Sequence, residues 1–191
     1  MLLKKGAYFF ALVNLVVFAV ISLNYKTASM EALDENIQSL LRGNESIILF
    51  HYFGETRFII MVTVLLLLFL WIRKRNYLAM LFTLLTIGVG YSINQLLKYY
   101  FERPRPDIIN QLTTYSFPSG HSQMSVLYLF TLAYLFSNMT ASRKKAMIIW
   151  SIAISLAFFI GLARIAEGRH YPTDVFAGWS IGYSWFIICV L

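Results

Sequence analysis

Apolar residues run along this chain in long blocks, not in the alternation of a half-buried strand. Six blocks stand out: Gly6–Leu23, Phe58–Ile72, Tyr77–Leu97, Ser119 to Phe136, Ala146 to Ala163, and Val175–Leu191. A helix needs roughly 17–25 residues to cross a bilayer; the second block is short, and the sixth sits at the short end of that range. Backbone polar groups in hydrocarbon must be satisfied within the segment, so all six blocks predict helices. The pattern predicts an all-α fold: a six-transmembrane-helix bundle forming a single integral-membrane domain over residues 1–191. The first block is longer than a signal-peptide core of about 7–15 residues, and no small-residue cleavage site follows it, so it reads as a retained anchor.

Between the first two blocks, Leu33, Ile37, Leu40 and Leu41 repeat at helical spacing. Ser29 is the expected N-cap, Glu31 lies in the first turn and Gly43 is the expected stop. This predicts a short amphipathic helix lying on the membrane surface, either covering a substrate entrance or passive. Ala153, Ala157 and Gly161, then Gly178 and Gly182, stand four residues apart and predict close helix packing. Asn14 and Asn94 are expected to hydrogen-bond between helices, with Asn94 four residues before Lys98.

Composition sharpens this picture. Hydrophobic residues make up 59% of the 191 and charged residues 13%; soluble domains average roughly 45–50% and about 25%. That difference excludes an ordinary soluble enzyme, a disordered chain and a coiled coil. The net charge of +7 does not mark a nucleic-acid partner, because the basic residues are divided among short loops. Six spans put both termini on one side, with Lys4, Lys5, Arg73, Lys74, Arg75, Arg143, Lys144, Lys145 and no acidic residue. The opposite side carries the other eight basic residues and all nine acidic ones, a net of −1 against +8. The positive-inside rule then places the termini in the cytoplasm and loops 24–57, 98–118 and 164–174 outside. The single cysteine, Cys189, excludes an intrachain disulfide and a Cys-rich metal site.

Three clusters in the outward loops carry candidate chemistry. The first holds Lys98, Arg103 and Arg105, stiffened by Pro104 and Pro106. It suits an anion, although snorkelling cations at a span end have the same look. Arg103 either adds a further cation for the anion or pairs with neighbouring Glu102. The second, Pro118-Ser119-Gly120-His121, opens the fourth span, where free backbone N–H groups beside a hydroxyl and an imidazole suit a phosphate or form an ordinary cap. In the third, Pro172 starts the last helix, His170 precedes it and Asp174 lies in its first turn, with Arg164 ending the fifth span. An Asp four residues after a His can accept from the ring and leave its other nitrogen free as nucleophile or base; alternatively it only stabilises the helix start. The remaining histidine, His51, lies among aromatics and reads as interfacial. Together the clusters supply cations, a phosphate-binding helix start, a His–Asp pair and a second His. This is the inventory of phosphoryl transfer without a metal.

These blocks resemble the type 2 phosphatidic acid phosphatase superfamily. Lys98 with Arg105-Pro106 matches its first motif, Pro118 to His121 its second, and Arg164, His170 and Asp174 its third; Ala163 stands where the family usually has Ser. The resemblance implies His170 as the nucleophile of a phosphohistidine intermediate, Asp174 as its orienting carboxylate and His121 as the acid for the leaving group. It implies Lys98, Arg105, Ser119, Gly120 and Arg164 as phosphate-binding groups, and no metal or cofactor. The expected activity is hydrolysis of a membrane lipid phosphate or diphosphate, with undecaprenyl diphosphate first and phosphatidylglycerophosphate, phosphatidic acid or diacylglycerol diphosphate as alternatives. A lipid phosphotransferase and a non-catalytic lipid-phosphate carrier are the competing classes.

Overall fold

The computed structural model describes residues 2–190, and among them every regular element is helical. The chain runs α1 (Leu2–Asn24), α2 (Ala28–Leu41), the single turn α3 (Glu45–Ile48) leading into a 3-10 turn (Leu49–Gly54), α4 (Thr56–Phe69), α5 (Tyr77–Leu84), α6 (Gly90–Phe101), α7 (Gly120–Asn138), α8 (Arg143–Ala166) and α9 (Pro172–Val190). A π turn at Leu85–Val89 joins α5 to α6 in one rod, and another at Leu70–Lys74 extends α4. The side chains of Lys4, Lys5 and Lys74, part of the orientation signal, lie outside the described residues, as does Leu191 at the end of the sixth predicted span.

Among the described residues five segments are long and apolar enough to cross a membrane: Gly6–Asn24, Thr56–Arg73, Tyr77–Phe101, Arg143–Ala166 and Pro172–Val190. The fourth predicted span corresponds to α7, a helix of 19 residues that is not among these five. Its apolarity is diluted by His121, Ser122, Gln123, Ser125 and Thr131. The reason is its position: every residue from Ser122 to Thr131 is buried, with α8 and α9 packed against it. A helix covered by other helices can spend its positions on polar contacts between them.

The small residues do what their spacing predicts. A β-carbon at Gly178 would stand 2.6 Å from the Ser119 carbonyl oxygen, and one at Gly182 2.9 Å from that of Gln123. α9 therefore lies directly on the α7 backbone. A β-carbon at Gly161 would meet the Trp179 ring at 2.2 Å, and the Trp179 indole N–H donates to the Ala157 carbonyl at 3.1 Å.

Two expectations need correction. Asn14 donates to Phe10 O of its own helix at 2.8 Å and not to another helix, although α1 packs on α9 in this stretch, where Ser184 Oγ donates to Ala11 O at 3.1 Å. The N-cap of α2 is Thr27, with Ser29 inside the helix. Gly43 does lie just past its end, at φ +79°. The inward anchor of α2 is an acid, Asp34 (2% exposed), whereas Leu33 and Leu40 are 41% and 82% exposed.

Candidate active site

The site forms where the N-terminal ends of α7 and α9 meet the C-terminal ends of α6 and α8. Ser119 caps α7: its hydroxyl accepts from Ser122 N at 3.4 Å. Its own N–H donates to the Asp174 carbonyl at 2.9 Å, which ties the two helix starts together. Gly120 lets the α6 side chains approach; a β-carbon there would stand 3.1 Å from Asn94 Oδ1 and 3.9 Å from Lys98 Cε. Asn94 crosses from α6 to α7 by donating to Gln123 Oε1 at 2.9 Å and Pro118 O at 3.3 Å.

His170 closes the turn after α8, its N–H donating to Arg164 O at 3.2 Å. Its Nδ1 lies 3.3 Å from Asp174 Oδ2. That oxygen also accepts the Tyr171 N–H at 3.0 Å, and Oδ1 accepts from Arg103 at 2.7 Å. A carboxylate so placed holds the ring proton on Nδ1 and leaves the Nε2 lone pair outward. Arg105 Nη1 lies 3.0 Å from that Nε2, and is steadied by the carbonyls of Arg169 (2.7 Å), Thr114 (2.7 Å, through Nε) and Tyr115 (3.3 Å, through Nη2). Lys98, in the last turn of α6, is 7% exposed; its Nζ donates to Tyr115 O at 2.6 Å and Ser116 O at 3.3 Å.

The electrostatics of this end are dominated by positive charge. His170 is held well below the ordinary imidazole value, first by burial and then by the charges of Lys98, Arg105 and Arg164. It is therefore a neutral base at neutral pH. Arg105 is pushed down to about 10, by burial and then by Arg164, and stays a cation. Fixed cations around a neutral, carboxylate-backed imidazole make a site that attracts an anion to a nucleophile.

Across from this pair stand His121 and Arg164. His121 Nε2 is buried without a hydrogen-bond partner; the nearest carboxylate, Glu55 Oε1, is 3.6 Å away. Arg164 Nη1 pairs with Glu167, and its Nε has no partner. His121 Nε2 and Arg164 Nε are thus buried polar atoms without partners, open to groups that a bound anion would bring. Among the described residues no three His, Cys, Asp or Glu side chains converge as a metal site.

The eight predicted site residues thus come from four elements and the two loops between them, and the structure brings them to one end of the bundle. Arg103 does not pair with Glu102, which accepts instead from the Tyr115 hydroxyl at 3.2 Å. Glu102 ends α6 in the left-handed region (φ +47°), and the chain turns there so that Arg103 points back to Asp174 and to Asp34. His51 is more than interfacial: its Nδ1 lies 3.0 Å from Glu167 Oε1. Sequence reasoning missed Asp34 and Glu55. Asp34 had a signal, because it shares the stripe of Ile37 and Leu41 where an apolar residue is expected. Glu55, at the end of a loop, had none.

The family profile described as the PAP2 superfamily matches residues 76–191. The chain belongs to the PAP2 superfamily. Phosphatidylglycerophosphatase B of Bacillus subtilis (strain 168) is 27% identical over 180 residues, which cover 90% of this chain and 88% of that protein. Undecaprenyl-diphosphatase of Sulfolobus acidocaldarius is 29% identical over 154 residues, 78% of this chain and 70% of that protein. Among solved structures, the PAP2-type phosphatidylglycerolphosphate phosphatase from Bacillus subtilis superposes with a TM-score of 0.86 at 25% identity, covering 94% of each chain. These relatives are phosphatases by name, the solved one a transmembrane PAP2 type, and the chain is a phosphatase of that superfamily with multiple membrane-spanning helices.

Proposed function

We propose that this PAP2 protein hydrolyses a lipid phosphate through a phosphohistidine on His170. The observation that carries the reading is the His170–Asp174 pair, whose Nε2 points away from the carboxylate and meets Arg105 at 3.0 Å. In the proposed reaction Arg105, Lys98 and Arg164 take the phosphoryl oxygens, with Ser119 and the Gly120 N–H adding hydrogen bonds. His170 Nε2 attacks phosphorus, the bond to the leaving oxygen breaks, and His121 gives that oxygen a proton. His121 then takes a proton from water, the water oxygen attacks the phosphohistidine, and phosphate leaves with His170 regenerated. The two buried atoms without partners, on His121 and Arg164, support their assignment to leaving group and phosphate.

The substrate reading follows charge and coverage. Arg103, the cation that would have served a second phosphate, is committed to two carboxylates. Lys98, Arg105 and the unpartnered Nε of Arg164 remain for one phosphoryl group, and a relative aligned over nine-tenths of the chain is a phosphatidylglycerophosphatase. We therefore place phosphatidylglycerophosphate first and undecaprenyl diphosphate second. α7 is taken as the sixth crossing, buried among the other five, in one domain over 1–191. The termini are then cytoplasmic, the site opens at the outer leaflet and α2 lies at that surface. Purified protein in detergent should release free phosphate from lipid phosphates in the presence of EDTA. His170→Ala should lower release at least about 10³-fold with the protein still monodisperse. Full activity in that variant overturns the mechanism, and transfer of phosphate to an added alcohol with little free phosphate overturns the hydrolase reading.

A further inference from the structure

Arg103 lies between two residues of the cationic clamp yet points away from it. Its guanidinium is buried (6% exposed) between two rings, 4.1 Å from the centre of Tyr171 and 4.8 Å from that of Tyr25. Nη1 donates to Asp174 Oδ1 at 2.7 Å and Thr173 Oγ1 at 2.8 Å, and Nη2 donates to Asp34 Oδ2 at 2.9 Å. Asp34 reaches in from α2 and also accepts the Thr173 N–H at 2.8 Å and the Thr173 hydroxyl at 2.7 Å. The first N–H groups of a helix have no partner within it. Asp34 satisfies one of them at the start of α9, the turn that carries Asp174.

The charge count at this spot bears on chemistry. One guanidinium facing only Asp174 would neutralise it and draw its electron density away from His170. With Asp34 sharing the guanidinium, the group of three keeps a net charge of −1 directly behind the imidazole. Phosphorylation of Nε2 makes that imidazole a cation, and a fixed negative charge behind it favours the step. The hydrogen bonds also hold Asp174 in the rotamer that meets Nδ1.

We propose that Asp34 and Arg103 are positioning residues for phosphoryl transfer, acting through Asp174 on His170, so that α2 is a working wall of the active site. The proposal rests on the reading of His170 as nucleophile. It is tested by phosphatidic acid hydrolysis in mixed micelles, with activity counted per monodisperse, folded molecule. Asp34→Asn should lower kcat about tenfold, the cost of one buried charge-assisted hydrogen bond, while KM stays within about twofold. Thr173→Val, which removes only the bridging hydroxyl, should lower kcat about threefold in the same direction and stands in if Asp34→Asn does not fold. In an Asp174→Asn background, adding Asp34→Asn should cost less than about twofold more, because its route to the nucleophile is already cut. The proposal is overturned by an equal further loss in both backgrounds, by a change in KM instead of kcat, or by unchanged kcat in both single variants. Failure of the underlying reading shows separately, as Asp174→Asn retaining wild-type activity.

Discussion

The two histidines of the site are built in opposite ways. His170 is 2% exposed, and both of its ring nitrogens have partners, Asp174 on one side and Arg105 on the other. His121 keeps 20% of its side-chain surface, and its Nε2 has no hydrogen-bond partner, with the half-exposed Glu55 carboxylate 3.6 Å away. A nucleophile must be held in one tautomer and one direction before substrate arrives. A leaving-group acid must stay open to an oxygen that only the substrate brings. The rigid half rests on α9 and the network behind it, and the open half on α7 facing the loop before α4.

The strongest way to break this contrast is chemical. His121→Ala should slow hydrolysis of an alkyl lipid phosphate by about 10²–10⁴-fold, the usual worth of general acid–base catalysis. With p-nitrophenyl phosphate, whose leaving group needs no proton, the same variant should release a burst of nitrophenol about equal to the enzyme and accumulate phosphorylated protein. Rapid-mixing absorbance and acid-sensitive phosphate labelling measure both. Equal losses on the two esters, without a burst, would mean that His121 shares the work of His170 instead of dividing it.

A subtler intervention works through packing. Gly54 ends the 3-10 turn before α4, and a β-carbon there would stand 2.7 Å from His121 Cδ2 and 2.7 Å from Ile160 Cγ2. Gly54→Ala therefore pushes on the acid and leaves the nucleophile alone. The expected result is roughly a tenfold loss on the alkyl phosphate and less than about threefold on the aryl ester burst, with overpacking costing about 1–3 kcal/mol of stability. Loss of the burst itself would show that the two halves are mechanically coupled.

The same contrast explains what was legible in the sequence. The apolar blocks, the Ser119 cap, the Pro172 helix start and the four-residue step from His170 to Asp174 are local, and each appears in the structure where its spacing puts it. The supports of the nucleophile are not local. Asp34 lies 139 positions from Thr173, and nothing in the pattern of α2 says which partner its carboxylate meets. The direction of Arg103 depends on the left-handed turn at Glu102, a conformation that a non-glycine residue does not announce. α7 is weakly apolar because its neighbours are helices, so hydropathy understates the element on which the site is centred.

The smallest expected effect concerns stability and pH. His170 is fully enclosed, and its proton affinity is held well below the ordinary value by burial and by Lys98, Arg105 and Arg164. In the unfolded chain the same ring takes a proton as the pH falls below about 6.5. Below that pH the unfolded state binds one more proton at this position than the folded state does, so stability is lost as the pH falls. Between pH 7.5 and pH 5.5 the wild-type protein should lose about 1 kcal/mol relative to His170→Asn, which has no ring to titrate. Thermal unfolding of the two detergent-solubilised proteins at the two pH values measures the difference, and titrating groups remote from His170 cancel in the comparison. A wild-type protein that gained stability against the variant on acidification would show His170 protonated in the folded state, and the rigid half of the site would then be a charged imidazolium instead of a ready nucleophile.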